Sequence, residues 1–216
     1  RSVRPLDAET PVSVFDSPTT PNRLFFIRSH FGAPAVGLTA PWTVEVTGGV
    51  RMPRTFTVDD LAKLEQVTIP AVLQCAGNGR ALFTPIIPGV PWEKGAVGNA
   101  EWTGVRLADL LGLVGVQPGQ LHLHLHGADV PPAPKVPAYL RSIPLARALA
   151  ESTLLALKMN GEPLPTLHGG PVRIVVPGWA GNHWMKWIRK LTVSTEEAPG
   201  FYQRTGYKMP KTPVPP

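Results

Sequence analysis

Apolar residues recur at every second position in Trp42–Thr47 (WTVEVT) and in Leu121–His126 (LHLHLH), the period of a half-buried strand. Thr68–Gln74, Val172–Pro177 and Lys190–Thr195 are β-branched, alternating or continuously apolar, and predict further strands. GGVRMPRTF, after the first of these, reads as a turn into a paired strand. Helical spacing is scarcer. Thr57-Val-Asp-Asp60 has the residues of a capping box in front of LAKLE and predicts a short helix to about Glu65. Arg106–Val114 and Leu145–Leu149 are the other helix candidates. The fold class is therefore read as α+β, mainly β with short helices.

Composition sharpens that picture. The 26 prolines and 21 glycines are spread without a period, which keeps helices short and multiplies turns. Residues 1–22 and 208–216 are too rich in proline to be core, so they read as an N-terminal arm and a C-terminal linker around a central unit, 23–207. With 43% hydrophobic and 17% charged residues in 216, the chain can bury a core and a deep pocket. No window approaches the ~20 apolar residues of a membrane helix. The first residue is Arg1 rather than methionine, which suggests a processed or trimmed product. The net charge of +6 comes from basic residues scattered singly, with no Lys/Arg block of the kind that marks nucleic-acid binding, and it suits a small anion.

The single cysteine rules out an intrachain disulfide and a zinc cluster of several thiolates. Cys75 sits where an apolar run meets a glycine-rich turn, LQCAGNGR. A free cysteine is commonly an inert core residue, yet a strand end opening into such a turn is also where backbone approaches a ligand. Arg80, five residues on, can hold the sulfur as the thiolate that ligates metals. The stretch LHLHLH offers a second metal candidate, since His122, His124 and His126 share one face about 6.6 Å apart. The preferred reading is a solvent face opposite buried Leu121, Leu123 and Leu125. Trp179, Trp184 and Trp187 read as core rather than as electron conduits.

LQCAGNGR, followed by PWEKGAVGNAEWTGVRLADLLGLVGV, resembles the molybdenum-binding segment of the sulfite oxidase family, whose CAGN carries the metal-bound cysteine. SIPLARAL and LALKMNGEPLPTLHGGPVRIVVPGWAGNHWMKWI are similar to its pterin-binding half, and FFIRSH and GYKMP match its first and last active-site segments in order. The match runs from about Phe25 to Pro210. The resemblance implies the sulfite oxidase-type molybdopterin-binding fold, with Cys75 as the protein ligand of molybdenum and molybdopterin supplying the other sulfurs. A soft thiolate suits that metal. It also implies a substrate pocket of Arg28, Arg80, Trp92 and Tyr207, in which guanidinium forks pair with oxyanions. The cofactor contacts it implies are Phe26, Arg28, Ser29, His30, Asp129, His168, Arg173, Trp184, Met185 and Lys186, with Arg173 and Lys186 set to neutralise the phosphate.

By the same resemblance the chain oxidises sulfite to sulfate, passing electrons singly to an external acceptor such as a periplasmic c-type cytochrome. No haem-binding cysteine motif is present in it. Alternatives are another oxyanion or a sulfoxide as substrate, or a non-catalytic anion- and pterin-binding remnant. Several positions depart from the family. Gly206 replaces an aspartate before the tyrosine, Pro88 stands in place of a frequent lysine, and Asn182-His183 occupies a loop where many relatives have Ala-Arg. The resemblance implies that these 216 residues stop before the C-terminal dimerisation domain that supplies another pocket arginine in animal and plant sulfite oxidases.

Overall fold

A computed structural model describes residues 2–3, 6–34 and 41–208. Two five-stranded sheets form its body. The first holds β5 (Val67–Gln74), β6 (Val97–Arg106), β9 (Leu154–Met159) and β10 (Glu162–Pro163) in the order β10-β9-β6-β5, with β11 (Arg173–Val175) also paired to β9. The second has the order β4-β3-β12-β7-β8, built from β3 (Thr43–Gly48), β4 (Arg54–Thr57), β7 (His122–Gly127), β8 (Leu140–Pro144) and β12 (Ile188–Ser194). All pairings are antiparallel except β12 against β3. A two-stranded ribbon, β1 (Ser2–Val3) with β2 (Leu6–Asp7), precedes them.

The predicted alternation places side chains as a pleated strand requires: Val44 and Val46 of β3 and Leu123 and Leu125 of β7 are fully buried. Leu121 departs from that reading, because it precedes β7 and is 60% exposed. The histidines of β7 are half-buried. His124 Nε2 meets the Glu196 carbonyl at 2.7 Å, and the Thr192 hydroxyl lies 3.3 Å from His126 Nε2. GGVRMPRTF leads into β4, which pairs with β3 as expected. Pro70 fits within β5 because that strand is the sheet edge, where a missing N–H costs no ladder bond on the open side.

The capping box forms. The Asp60 N–H donates to Thr57 Oγ1 and the Thr57 N–H to the Asp60 carboxylate, each at 3.0 Å. Its helix, α1 (Val58–Ala62), stops short of Glu65. Helix α2 (Leu107–Val114) buries Leu107, Leu110, Leu111 and Val114, the i, i+3, i+4, i+7 stripe of one face. Each such burial contributes roughly 1.5–3 kcal/mol. Helix α3 (Leu145–Ala148) follows β8, and α4 (Phe201–Arg204) lies where no helix was expected. The largest fully buried side chains include Trp92, Trp102, Trp184 and Trp187, so two of the three tryptophans read as core lie in it, while Trp179 is only partly buried against it.

The described part of the arm, from Leu6 to Asn22, buries Asp7, Thr10 and Thr20 but no apolar side chain. It is held by polar contacts such as Thr10 Oγ1 to the Val97 carbonyl at 2.8 Å. Residues 209–216, most of the expected linker and the end of GYKMP, lie outside the described residues.

Candidate active site: a thiol and a cluster of buried cations

Strand β5 ends at Gln74, and the chain then turns sharply. The Cys75 N–H donates to Ala96 O (2.9 Å) and the Asn78 N–H to Cys75 O (3.0 Å), while the Asn78 side-chain oxygen accepts from the Ala96 N–H (2.9 Å). These bonds fix the turn against the start of β6 and leave the Cys75 sulfur beside the Gly77 N–H, at 3.5 Å. Burial pushes the thiol pKa up; the Gly77 N–H, Arg28 and Arg80 oppose the shift.

Cys75 opens on a cavity of about 710 Å³, counting its solvent-open mouth. Phe26, Arg28, Ser29 and His30 approach from the segment before β3. Asp129 comes from the end of β7, and His168, Arg173, Trp184, Met185 and Lys186 come from the segments around β11. Tyr207, beyond α4, completes the set. Residues far apart in sequence are thus gathered in one place.

Charge in this cavity is poorly neutralised by protein. The Arg173 side chain is 3% exposed and donates to the carbonyls of His168 (2.7 Å) and Trp184 (2.9 Å), while its Nε has no partner among the described residues. Its guanidinium lies 5.0 Å over the Trp102 ring, and burial lowers its pKa to about 9. Lys186 donates to Ser29 Oγ (2.5 Å) and Leu167 O (3.0 Å); burial, then Arg173, lower its pKa to about 7 against the pull of Asp129. Arg28 has a carboxylate partner, the buried Asp7, at 3.4 Å. His168 holds Asn22 O at 2.8 Å; a carbonyl only accepts, so Nε2 carries the proton, and burial keeps the ring neutral with a pKa of about 4. His30 lies 3.0 Å from the Tyr207 hydroxyl and stacks on Tyr139 at 4.1 Å, its pKa lowered to about 3 by burial and by Arg28, Lys186 and Arg141.

Arg80 and Trp92, expected in the substrate pocket, are not among the side chains lining this cavity, although Arg80 lies near enough to Cys75 and Tyr207 to lower the pKa of each. The loop between them closes on itself through Gly79 N–H to Glu93 O (2.6 Å) and Ala81 N–H to Trp92 O (2.9 Å). The Arg80 Nη1 donates within this loop to Val90 O at 3.1 Å. Its guanidinium is packed so closely that a Cβ on Gly77 or on Gly89 would come within 2.7 or 2.6 Å of it, and Gly89 has φ +122° besides. Trp92 is fully buried behind Phe26, its indole N–H without a partner among the described residues. Sequence reasoning missed Asp7, Tyr139 and Arg141. Asp7 stood in an arm read as non-core. Arg141 had one usable signal, a charged residue inside the apolar strand LRSIP.

A molybdopterin-type cofactor fits these residues. It brings an anionic phosphate, for which desolvated Arg173 and Lys186, neither in an ion pair among the described residues, are suited, and a metal for which Cys75 is the one available thiolate. Asp129 and His168 offer polar atoms for a heterocycle edge.

The family described as oxidoreductase molybdopterin binding domain matches residues 30–202. The mitochondrial sulfite oxidase of Drosophila melanogaster is 38% identical over 213 residues, 96% of this chain and 36% of that protein. An NADH nitrate reductase of Ulva prolifera is 36% identical over 198 residues, 85% of this chain and 22% of that one. The solved structure of the sulfane dehydrogenase SoxCD from Paracoccus pantotrophus is similar with a TM-score of 0.83 and 31% identity, over 95% of this chain and 51% of that chain. The chain thus spans only part of the length of these relatives. A thiol turn, a cluster of buried cations and these likenesses agree, and the chain belongs to the oxidoreductase molybdopterin-binding domain family.

Proposed function

We propose that this domain oxidises sulfite to sulfate and passes the electrons one at a time to a c-type cytochrome in a periplasmic setting. The observation that carries the reading is the excess of buried cations around a lone thiol, a site made for anions and one soft metal. When bound, the molybdenum cofactor supplies the two-electron centre at which sulfite and water become sulfate, two protons and two electrons. Arg173 and Lys186 hold its phosphate, and Cys75 holds the metal.

Arg28 faces the cavity with its side chain 25% exposed and anchored by Asp7, so it meets a substrate oxyanion in a fixed orientation. Burial raises the Tyr207 pKa and keeps the phenol protonated, while His30 is neutral. The phenol can donate to Nε2 of His30; alternatively, with the imidazole proton on Nε2, it accepts from His30 and turns its own hydrogen to the substrate. That exchange lets one neutral pair serve an empty site and an oxyanion-bound one.

The test is molybdenum content together with sulfite-dependent reduction of cytochrome c by the purified protein. The reading expects a loaded metal site and sulfite-dependent reduction. The likeness to a nitrate reductase favours a second reading, nitrate as the oxyanion. Loaded protein that ignores sulfite yet reoxidises reduced viologen with nitrate or a sulfoxide would replace the first reading. Protein that binds anions but never acquires metal would reduce it to a binding module.

A further inference from the structure

Strand β8 places a charged residue where an apolar one would serve its pairing. Arg141 is 2% exposed and opposite Leu125 of β7. Among the described residues no carboxylate lies within ion-pair distance of it, and its Nε has no partner. Burying a cation this way costs free energy unless its contacts return it.

Its contacts tie two separate segments to one strand. Nη1 donates to the Tyr202 carbonyl in α4, and Nη2 lies 2.6 Å from His183 Nε2. A guanidinium has only donors, so His183 accepts and carries its proton on Nδ1. The guanidinium also lies 5.4 Å over the Tyr207 ring. The adjacent Ser142 binds the same C-terminal segment, through its N–H to Gln203 Oε1 (3.1 Å) and its hydroxyl from the Ala198 N–H (3.0 Å). His183 follows Asn182, which lines the cavity and whose carbonyl accepts from Tyr139 OH at 2.8 Å. Arg141 itself is not among the cavity-lining residues; it stands behind Tyr139, Asn182 and Tyr207, which are.

We propose that Arg141 is a positioning residue: it clamps the 198–207 segment and the 181–183 turn onto β8, holds the Tyr207 phenol against His30, and acts on substrate only through Tyr207. The catalytic part of this rests on the proposed oxyanion chemistry. Residues that act through one another give non-additive losses, whereas independent structural damage adds.

The experiment compares Arg141→Met, Arg141→Lys, Tyr207→Phe and Arg141→Met/Tyr207→Phe in cofactor-loaded protein, and reads 3-fluorotyrosine at position 207 by ¹⁹F NMR. Arg141→Met is expected to lower kcat/KM about 10-fold, mainly through KM, and the double variant to fall within about twofold of Tyr207→Phe alone. The fluorine line is expected to shift and broaden in Arg141→Met. Arg141→Lys, which keeps the charge without the planar fork, should lie between. Should Arg141→Met fail to fold, Arg141→Lys runs the same cycle. Additive losses overturn the proposal, as does an unchanged fluorine line. The line reports on Arg141 even if sulfite proves not to be the substrate, so the two readings fail separately.

Discussion

Cys75 and Lys186 face the same cavity from segments built on opposite terms. The Cys75 turn is held from within, by backbone bonds to Ala96 and by the loop that Arg80 closes over it. The segment bearing Arg173 and Lys186 instead holds cations whose pKa values fall because they are desolvated, that of Lys186 also because Arg173 is near. The first is complete without a ligand. On the proposed function the second would be completed by an anion, whose binding would stabilise the folded state by mass action. A pocket can therefore be rigid where a metal ligand must be aimed and under electrostatic tension where a charged group must be captured.

The sharpest way to break this comparison is Cys75→Ser. A hydroxyl is a poor match for the metal, so sulfite oxidation should fall by more than about 100-fold while the melting temperature holds, since the turn does not depend on the sulfur. Activity within a few fold of the unaltered protein would remove Cys75 from the centre. Next in size is Arg173→Ala/Lys186→Ala. Purified protein should carry about 10-fold less molybdenum and pterin, because the charge-assisted bonds to phosphate are gone. Full loading, measured by metal analysis, would make that wall purely structural.

Arg80→Gln probes the self-held turn. From sequence, Arg80 is expected to touch substrate and leave stability alone; packed between Gly77 and Gly89, it should do the reverse. The lost bond to Val90 costs about 0.5–1.5 kcal/mol, a fall of a few degrees in melting temperature, with any loss of kcat/KM following from a shifted Cys75. An unchanged melting temperature with a large KM rise would return Arg80 to the substrate.

The smallest effect separates the walls by pH. The Lys186 pKa is about 7 in the folded, cofactor-free protein and near 10.5 in an unfolded chain. Between these values the unfolded state binds more protons, so this group makes stability rise with pH above 7 and withholds that gain below it. An anion in the cavity favours the charged lysine, so binding inorganic phosphate at pH 8 should take up a fraction of a proton. Calorimetry in buffers of different ionisation enthalpy would measure it; no uptake, or the same uptake in Lys186→Met, would deny the tension.

Much of this was legible in the sequence, for reasons that differ by region. Alternation found β3 and β7 because each is wet on one side. It missed β6, whose inward positions include Gly98 and Gly104. A Cβ at Gly98 would lie 2.6 Å from the Phe25 ring, and one at Gly104 would lie 2.2 Å from the Leu155 carbonyl, so small residues stand where periodicity expects large ones. Of the site, the thiol turn and the cations lay in contiguous motifs that carry the resemblance. Asp7 and Arg141 lay outside them, and only the fold brings Asp7 to Arg28 and Arg141 to Tyr207. Arg80 shows the converse: its place in a motif is plain, but the direction of its side chain depends on a loop closure that residue spacing does not encode.

The parallel pairing of β12 with β3 has a consequence for the order of biosynthesis. Strand β12, residues 188–194, is the central member of its sheet, and its register with β3 joins positions such as Lys190 and Glu45. A ribosome must release nearly the whole domain before that sheet can close, and contacts of such long sequence separation form slowly. Arg173 and Lys186 are synthesised just ahead of β12. If Arg173 and Lys186 hold the cofactor phosphate as proposed, a nascent chain presents the Cys75 turn long before that wall exists, and cofactor insertion would follow translation of nearly all of these residues.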